Sequence, residues 1–251
     1  MQFPYYFHIA GHPLHPHTVM EALAYIVAFR VYLTLKKKFG DVIPSSERWP
    51  VIAAAAFGAV FGSRVLAWLE DPTLAWQAGL AGGKTIVGAL VGGWIAVELV
   101  KAKLGIRVRT GDLFAIPLAA GIAVGRIGCF LTGLSDQTYG SPTSLPWGID
   151  FGDGLRRHPT QLYEIVFLVL LCVVLWHGLE AVKRSSWQTG DVFRAFMISY
   201  SLWRFFIDFL KPEPAFFGLS AIQWTCLAVV AYCWRDFQRL VARNLLYKTN
   251  S

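Results

Sequence analysis

Three short stretches concentrate residues able to do chemistry. "GRIGCFLTGLSDQTYGSPTSLPWGIDF" (125–151) sets Arg126 and Cys129 among glycines, then Asp136, Tyr139, Gly140 and a Pro-Trp turn. "RRHPTQLYE" (156–164) places His158 before a proline suited to a first helical turn, with Gln161 and Glu164 about one turn apart. "SLWRFFIDFLKPEP" (201–214) sets Arg204 and Asp208 at i and i+4 on one helix face. Glu21, Arg64 and Lys84 add charges inside or beside other apolar runs. A charge near the bilayer centre costs at least about 2.5–3.5 kcal/mol, so such residues pair within a bundle or line a wet cavity. Cations among apolar helices suit a phosphate headgroup; arginine's planar fork gives it two parallel hydrogen bonds. The bland alternatives are ion pairing with Glu164 and Asp208, and snorkelling, which is expected for Arg30, Glu98 and Arg194.

The elements that must carry these residues are membrane helices. The chain has 251 residues, 55% hydrophobic and only 16% charged, against about 25% charged in soluble domains. Seven apolar segments are long enough to span, near 18–35, 51–69, 84–100, 112–130, 160–182, 190–210 and 217–235. The fourth is interrupted by Pro117 and several glycines. The expected fold is therefore all-α, a single polytopic membrane domain over 1–251. Basic residues orient it. Fourteen (Lys36, Lys37, Lys38, Arg48, Lys101, Lys103, Arg107, Arg109, Lys183, Arg184, Arg235, Arg239, Arg243 and Lys248) follow segments 1, 3, 5 and 7, against three (Arg156, Arg157 and Lys211) on the other side. The positive-inside rule then puts the N-terminus outside and the C-terminus in the cytoplasm. The 70–82 loop and the long 131–159 connection become external.

Composition also excludes classes. The net charge of +7 reports cytoplasmic loops rather than nucleic-acid binding. Cys129, Cys172, Cys226 and Cys233 form no CxxC pair, so neither a metal site nor a disulfide framework is expected, and no cofactor. Met1 to Leu14 lacks the pattern of a cleavable signal peptide. "AGLAGGKTIVGALVGGW" (78–94) ends its glycine run in Gly-Lys-Thr, but a phosphate-binding loop needs a glycine where Ala78 stands. Gly88 and Gly92 instead form a GxxxG helix-contact pattern.

At these residues the sequence resembles the prolipoprotein diacylglyceryl transferase family. "GRIG", the following glycine, "YG", "LPWG", "RHPTQLYE" and the late Arg204/Asp208 pair occur in the family's order, and "GSR" at 62–64 resembles its second-span pattern. The resemblance implies seven spans with an external N-terminus, in the bacterial inner membrane. It implies transfer of the diacylglyceryl group of phosphatidylglycerol to the cysteine thiol of a lipobox signal peptide. Arg126 and Arg204 would hold the phosphate region, with Arg64, Cys129, Asp136, Tyr139, Gly140, His158, Gln161, Glu164 and Asp208 lining the site. Departures fall where mechanism lives. Lys84 stands where the family has a histidine, Cys129 where it has an asparagine and Glu21 where it has a tyrosine. The family's "NGE" glutamate has no direct counterpart; Asp136 is the candidate stand-in. Lys84 is then either a base, if its pKa is depressed, or a third phosphate cation. Glu21 is either a replacement base or the partner of Lys84, and Cys129 either a nucleophile or a small buried residue. Two alternatives stay open: a phospholipid-dependent transferase with another acceptor, and a non-catalytic lipid-binding membrane protein.

Overall fold

A computed structural model describes residues 3–9, 11–43, 45–73, 83–211 and 217–249. The described residues contain seven α-helices: α1 (Pro16–Phe39), α2 (Ser45–Glu70), α3 (Ile86–Leu104), α4 (Asp112–Thr132), α5 (Thr160–Lys183), α6 (Asp191–Ile207) and α7 (Ala221–Thr249). Each expected apolar segment overlaps one of them. Four are long and apolar enough to cross a membrane: Pro16–Phe39, Glu47–Glu70, Asp112–Asp136 and Thr160–Lys183. The other three are shorter or more polar. α6 has 17 residues, three of them Asp191, Arg194 and Arg204, and α3 carries Glu98, Lys101 and Lys103. The interruption expected at Pro117 does not occur, because α4 runs through it. Of the 70–82 loop, residues 74–82 lie outside the described part.

The chain forms two compact units. The first comprises 1–40, 111–196 and 209–212; here α1 packs on α4 and α4 on α5. The second comprises 41–110, 197–208 and 213–251; here α2 packs on α3, and both touch α7.

In the first unit, α1 opens on Pro16, whose fixed φ suits a first helical turn. It closes on Gly40, with Lys36, Lys37 and Lys38 in its last turn opposing the negative end of the helix dipole. Gly128 lets α4 approach α1 closely: a Cβ there would lie 2.8 Å from Met20 Cβ and 3.3 Å from the His17 Cα. That approach sets Cys129 beside the first turn of α1. Buried Asp112, at the start of α4, accepts from the Gly190 and Phe193 amides at 2.6 and 3.0 Å, capping α6. The connection after α4 is a 3-10 turn, Gly133–Asp136, and a small antiparallel ribbon, β3 (Ile149–Asp150) with β4 (Arg156–Arg157). A second ribbon, β1 (Phe7–Ile9) with β2 (His12–Leu14), precedes α1.

In the second unit, α2 and α3 meet backbone to backbone. Gly58 and Gly62 face Gly88 and Gly92, and a Cβ on any of the four would collide with a carbonyl oxygen of the opposite helix. The GxxxG reading of Gly88 and Gly92 thus holds, with a matching pair on α2. The start of α7 is fixed by a reciprocal cap. Ser220 Oγ accepts from the Gln223 amide at 3.0 Å, and Gln223 Oε1 accepts from the Ser220 amide at 2.9 Å, the two halves of a capping box. Glu70, at the end of α2, accepts from the Ile222 amide at 2.9 Å.

Candidate active site

Arg126 lies on α4 nearly two turns before its end, and Glu164 in the first turns of α5. Their side chains form a buried ion pair, Nε to Oε2 2.9 Å, with the residues 7% and 2% exposed. Such a pair keeps a full positive charge inside a helical bundle because a carboxylate compensates it. Arg126 also reaches Cys129, Nη1 to Sγ 3.9 Å.

Glu164's neighbour one turn back starts a relay. Buried Gln161 donates from Nε2 to Thr138 Oγ1 at 3.1 Å, and Thr138 Oγ1 donates to Asp136 Oδ2 at 2.5 Å. Thr160 Oγ1 donates to the Thr138 carbonyl at 2.6 Å and holds that segment on α5. The other Asp136 oxygen, Oδ1, lies 3.2 Å from His17 Nδ1. His17 Nε2 in turn lies 3.8 Å from Glu21 Oε2, and the Tyr25 hydroxyl donates to Glu21 Oε1 at 3.4 Å. Six of the expected residues (Glu21, Arg126, Cys129, Asp136, Gln161 and Glu164) therefore belong to one connected cluster in the first unit.

Tyr139, Gly140 and His158 frame that cluster. Gly140 donates to the His158 carbonyl at 2.9 Å and receives the Leu210 carbonyl so closely that a Cβ would sit 3.2 Å from it. His158 Nδ1 is 3.2 Å from the Tyr163 hydroxyl, which accepts from Trp147 Nε1 at 2.8 Å. The Arg157 guanidinium stacks 5.0 Å above the Tyr139 ring and donates to Asp153 at 2.6 Å. That contact holds the Asp153 carboxyl below the usual carboxylate range.

The second unit holds a separate buried charge network. Arg204 Nη2 donates to Asp208 Oδ1 at 2.7 Å, and Ser220 Oγ donates to Asp208 Oδ2 at 2.6 Å. Both charged residues are 4% exposed. Arg64 donates to the Gly83 carbonyl. Lys84 is exposed and sits just before α3, whose N-cap is Thr85, accepting from the Gly88 amide at 3.2 Å. Glu21 belongs to the His17 side of the first unit. Glu98, expected to snorkel, pairs at 2.9 Å with Lys101, which is buried at the end of α3.

Reasoning from sequence missed His17, Thr138 and Ser220. His17 and Glu21 share an i,i+4 spacing, which signals a pair but not the neighbours brought by α4. Ser220 and Gln223 do carry the S-x-x-Q signature of a helix start.

"GRIG" lies on α4 and "TQLYE" opens α5, two helices that pack on each other, and comparison with known families decides what these motifs belong to. The prolipoprotein diacylglyceryl transferase model matches residues 4–234. The chain belongs to that family. A phosphatidylglycerol–prolipoprotein diacylglyceryl transferase of Geobacter sulfurreducens is 32% identical over 236 residues, 88% of each chain. One of Clostridium tetani is 30% identical over 226 residues, 84% of this chain and 86% of its own. One of Cupriavidus metallidurans is 32% identical over 164 residues, 62% and 57% respectively. The protein is thus a transferase by family, with apolar helices able to place it in a membrane.

Proposed function

We propose that this protein moves the diacylglyceryl group of phosphatidylglycerol to the cysteine thiol of a prolipoprotein signal peptide. The thiol loses its proton, a sulfur–carbon bond forms at the glyceryl carbon that bears the phosphate, and the carbon–oxygen bond there breaks. Glycerol phosphate leaves with the electron pair. Such a step needs a cation at the departing phosphate and a means of making thiolate, since the thiolate is the nucleophile. The observation that carries the reading is the buried Arg126–Glu164 pair, on the two helices that also bear "GRIG" and "RHPTQLYE". We assign Arg126 to the phosphate in the first unit and Arg204 to a second phosphate-directed cation in the second unit, with Glu164 and Asp208 holding their guanidiniums. Gln161, Asp136, Tyr139, Gly140 and His158 shape the pocket wall, and Arg64 fixes the backbone at Gly83, beside Lys84.

The same proposal takes 1–251 as one polytopic domain of seven spans in the bacterial inner membrane, N-terminus outside. The positive-residue bias supports it.

A second reading, a phospholipid-dependent transferase with a different acceptor, is favoured by exposed Lys84 at the position of the family histidine. One assay separates the readings: purified protein with labelled phosphatidylglycerol and a lipobox peptide. Labelled peptide supports the proposal. Headgroup release without labelled peptide supports the second reading, and no release at all reduces the protein to lipid binding. Lys84→His sharpens the result, because raised peptide transfer would tie acceptor use to that position.

A further inference from the structure

Three side chains from separate parts of the first unit converge at one point. His17 comes from the first turn of α1, Cys129 from the last turn of α4, and Asp136 from the 3-10 turn that follows. One nitrogen, one sulfur and one oxygen from these residues all lie within 4.8 Å of one another. We propose that His17, Cys129 and Asp136 form a site for a divalent transition metal of the zinc class, and that its open coordination position takes the acceptor thiol. The second clause rests on the transfer reading above; the first does not.

The geometry supports a metal in four ways. The donor set of imidazole, thiolate and carboxylate is the mixed N/S/O set that zinc prefers, and three protein ligands with one open position is the catalytic rather than the structural pattern. Two ligands about 2.0–2.2 Å from a tetrahedral ion stand about 3.4 Å apart; Nδ1 and Oδ1 are 3.2 Å apart. At that separation the buried His17 Nδ1 faces the Asp136 carboxylate directly, so a nitrogen and an oxygen stand where two ligands of one ion would. The outer groups are also arranged for it. Glu21 lies beside His17 Nε2, the carboxylate–histidine placement that turns the other ring nitrogen's lone pair toward an ion, and Thr138 holds the second oxygen of Asp136. The nearby Arg126 would oppose a cation, but its charge is met by Glu164 at 2.9 Å.

The chemistry fits the departure from the family. A metal-bound thiol is deprotonated outright, so a metal supplies thiolate without a histidine base. Cys129, which stands where the family has asparagine, and the lost family histidine then become one exchange rather than two. The acceptor thiol gives its proton to solvent or to Glu21, binds as thiolate, and attacks the glyceryl carbon as above. The side chain of His17 is 37% exposed while Cys129 is buried, so the site is open on the α1 side.

The test uses purified full-length protein in detergent, without phosphatidylglycerol, titrated with Co²⁺. Expected is one equivalent of binding with a thiolate-to-cobalt absorption band. That band should vanish in Cys129→Ser, and affinity should fall in His17→Ala and Asp136→Ala and by about 10–100-fold in Glu21→Gln. Adding a lipobox peptide should raise the band, and its cysteine-to-serine version should not. In the unaltered protein, Zn²⁺ should protect Cys129 from maleimide, read by mass spectrometry, which keeps the idea testable if a variant misfolds. A band that persists in Cys129→Ser, or no Zn²⁺ protection, overturns the metal site. Binding with no response to the peptide thiol overturns the acceptor role. Fast alkylation of Cys129 unaffected by Zn²⁺ would assign the cluster to a thiolate–imidazolium nucleophile instead. None of these readouts depends on transfer, so a failed lipid assay would not be mistaken for a failed metal site.

Discussion

Arg204 and Asp208 allow structure and function to be pulled apart. Asp208 accepts from Arg204 and from Ser220, and both members of the pair are 4% exposed. Asp208→Asn keeps the shape but removes the carboxylate charge that meets the buried Arg204 guanidinium. Breaking one side of such a pair costs about 3–5 kcal/mol, roughly 10²-fold or more in the unfolding equilibrium. For a chain of this size that is a fall of about 6–20 °C in Tm. Replacing both partners with apolar residues behaves differently. Arg204→Met with Asp208→Leu removes two buried charges together, which is often neutral or stabilising. What remains is the Ser220 hydroxyl, which loses its acceptor at a cost of about 1–3 kcal/mol, although it still accepts from the Gln223 amide. The double variant should therefore stay within about 3 kcal/mol of the unaltered protein, while headgroup release from labelled phosphatidylglycerol is lost. Thermal unfolding in detergent and the lipid assay, run on the same preparations, decide it. A stable double variant that still turns over lipid would refute the phosphate role of Arg204. An Asp208→Asn variant as stable as the unaltered protein would refute the electrostatic argument itself.

Other outcomes can be checked with the same preparations. Gly92→Ala should destabilise by about 1–3 kcal/mol, because the atoms nearest the new Cβ are backbone atoms of Gly58 and Gly62, which cannot swing away. Gly125→Ala meets nothing within 4 Å and should be neutral or stabilising by up to about 1 kcal/mol; equal unfolding temperatures for the two would sink the close-packing argument. Thr138→Val should cost about 1–3 kcal/mol, since it leaves Gln161 Nε2 without its acceptor and Asp136 Oδ2 without its donor, and a denaturation midpoint unchanged from the native one would contradict the relay. The Asp153 carboxyl is depressed by Arg157, so its contribution is present above about pH 4 and fades as pH falls through the lower folded value. Amide exchange across 149–157 should accelerate on acidification, and Asp153→Asn should remove that pH dependence.

The helices were legible because apolar runs of spanning length have few other solutions, and α4 and α5 start at 112 and 160, where the fourth and fifth segments do. Pro117 misled in isolation: near the start of a buried helix, packing outweighs one missing hydrogen bond. The Arg126–Glu164 and Arg204–Asp208 pairs were readable as alternatives, because a buried arginine needs a carboxylate whatever else it does. His17 was not readable as a partner of Cys129, since nothing local announces a contact made by Gly128 letting α4 close on α1.

The glycine seam between α2 and α3 also limits how a lipid can arrive. Where two backbones touch, no room exists for an acyl tail to wedge between them, and parting them would forfeit the contacts of four residues at once. These two helices must tilt or shift as a pair. A phospholipid sliding in from the bilayer therefore finds no gap between these two helices.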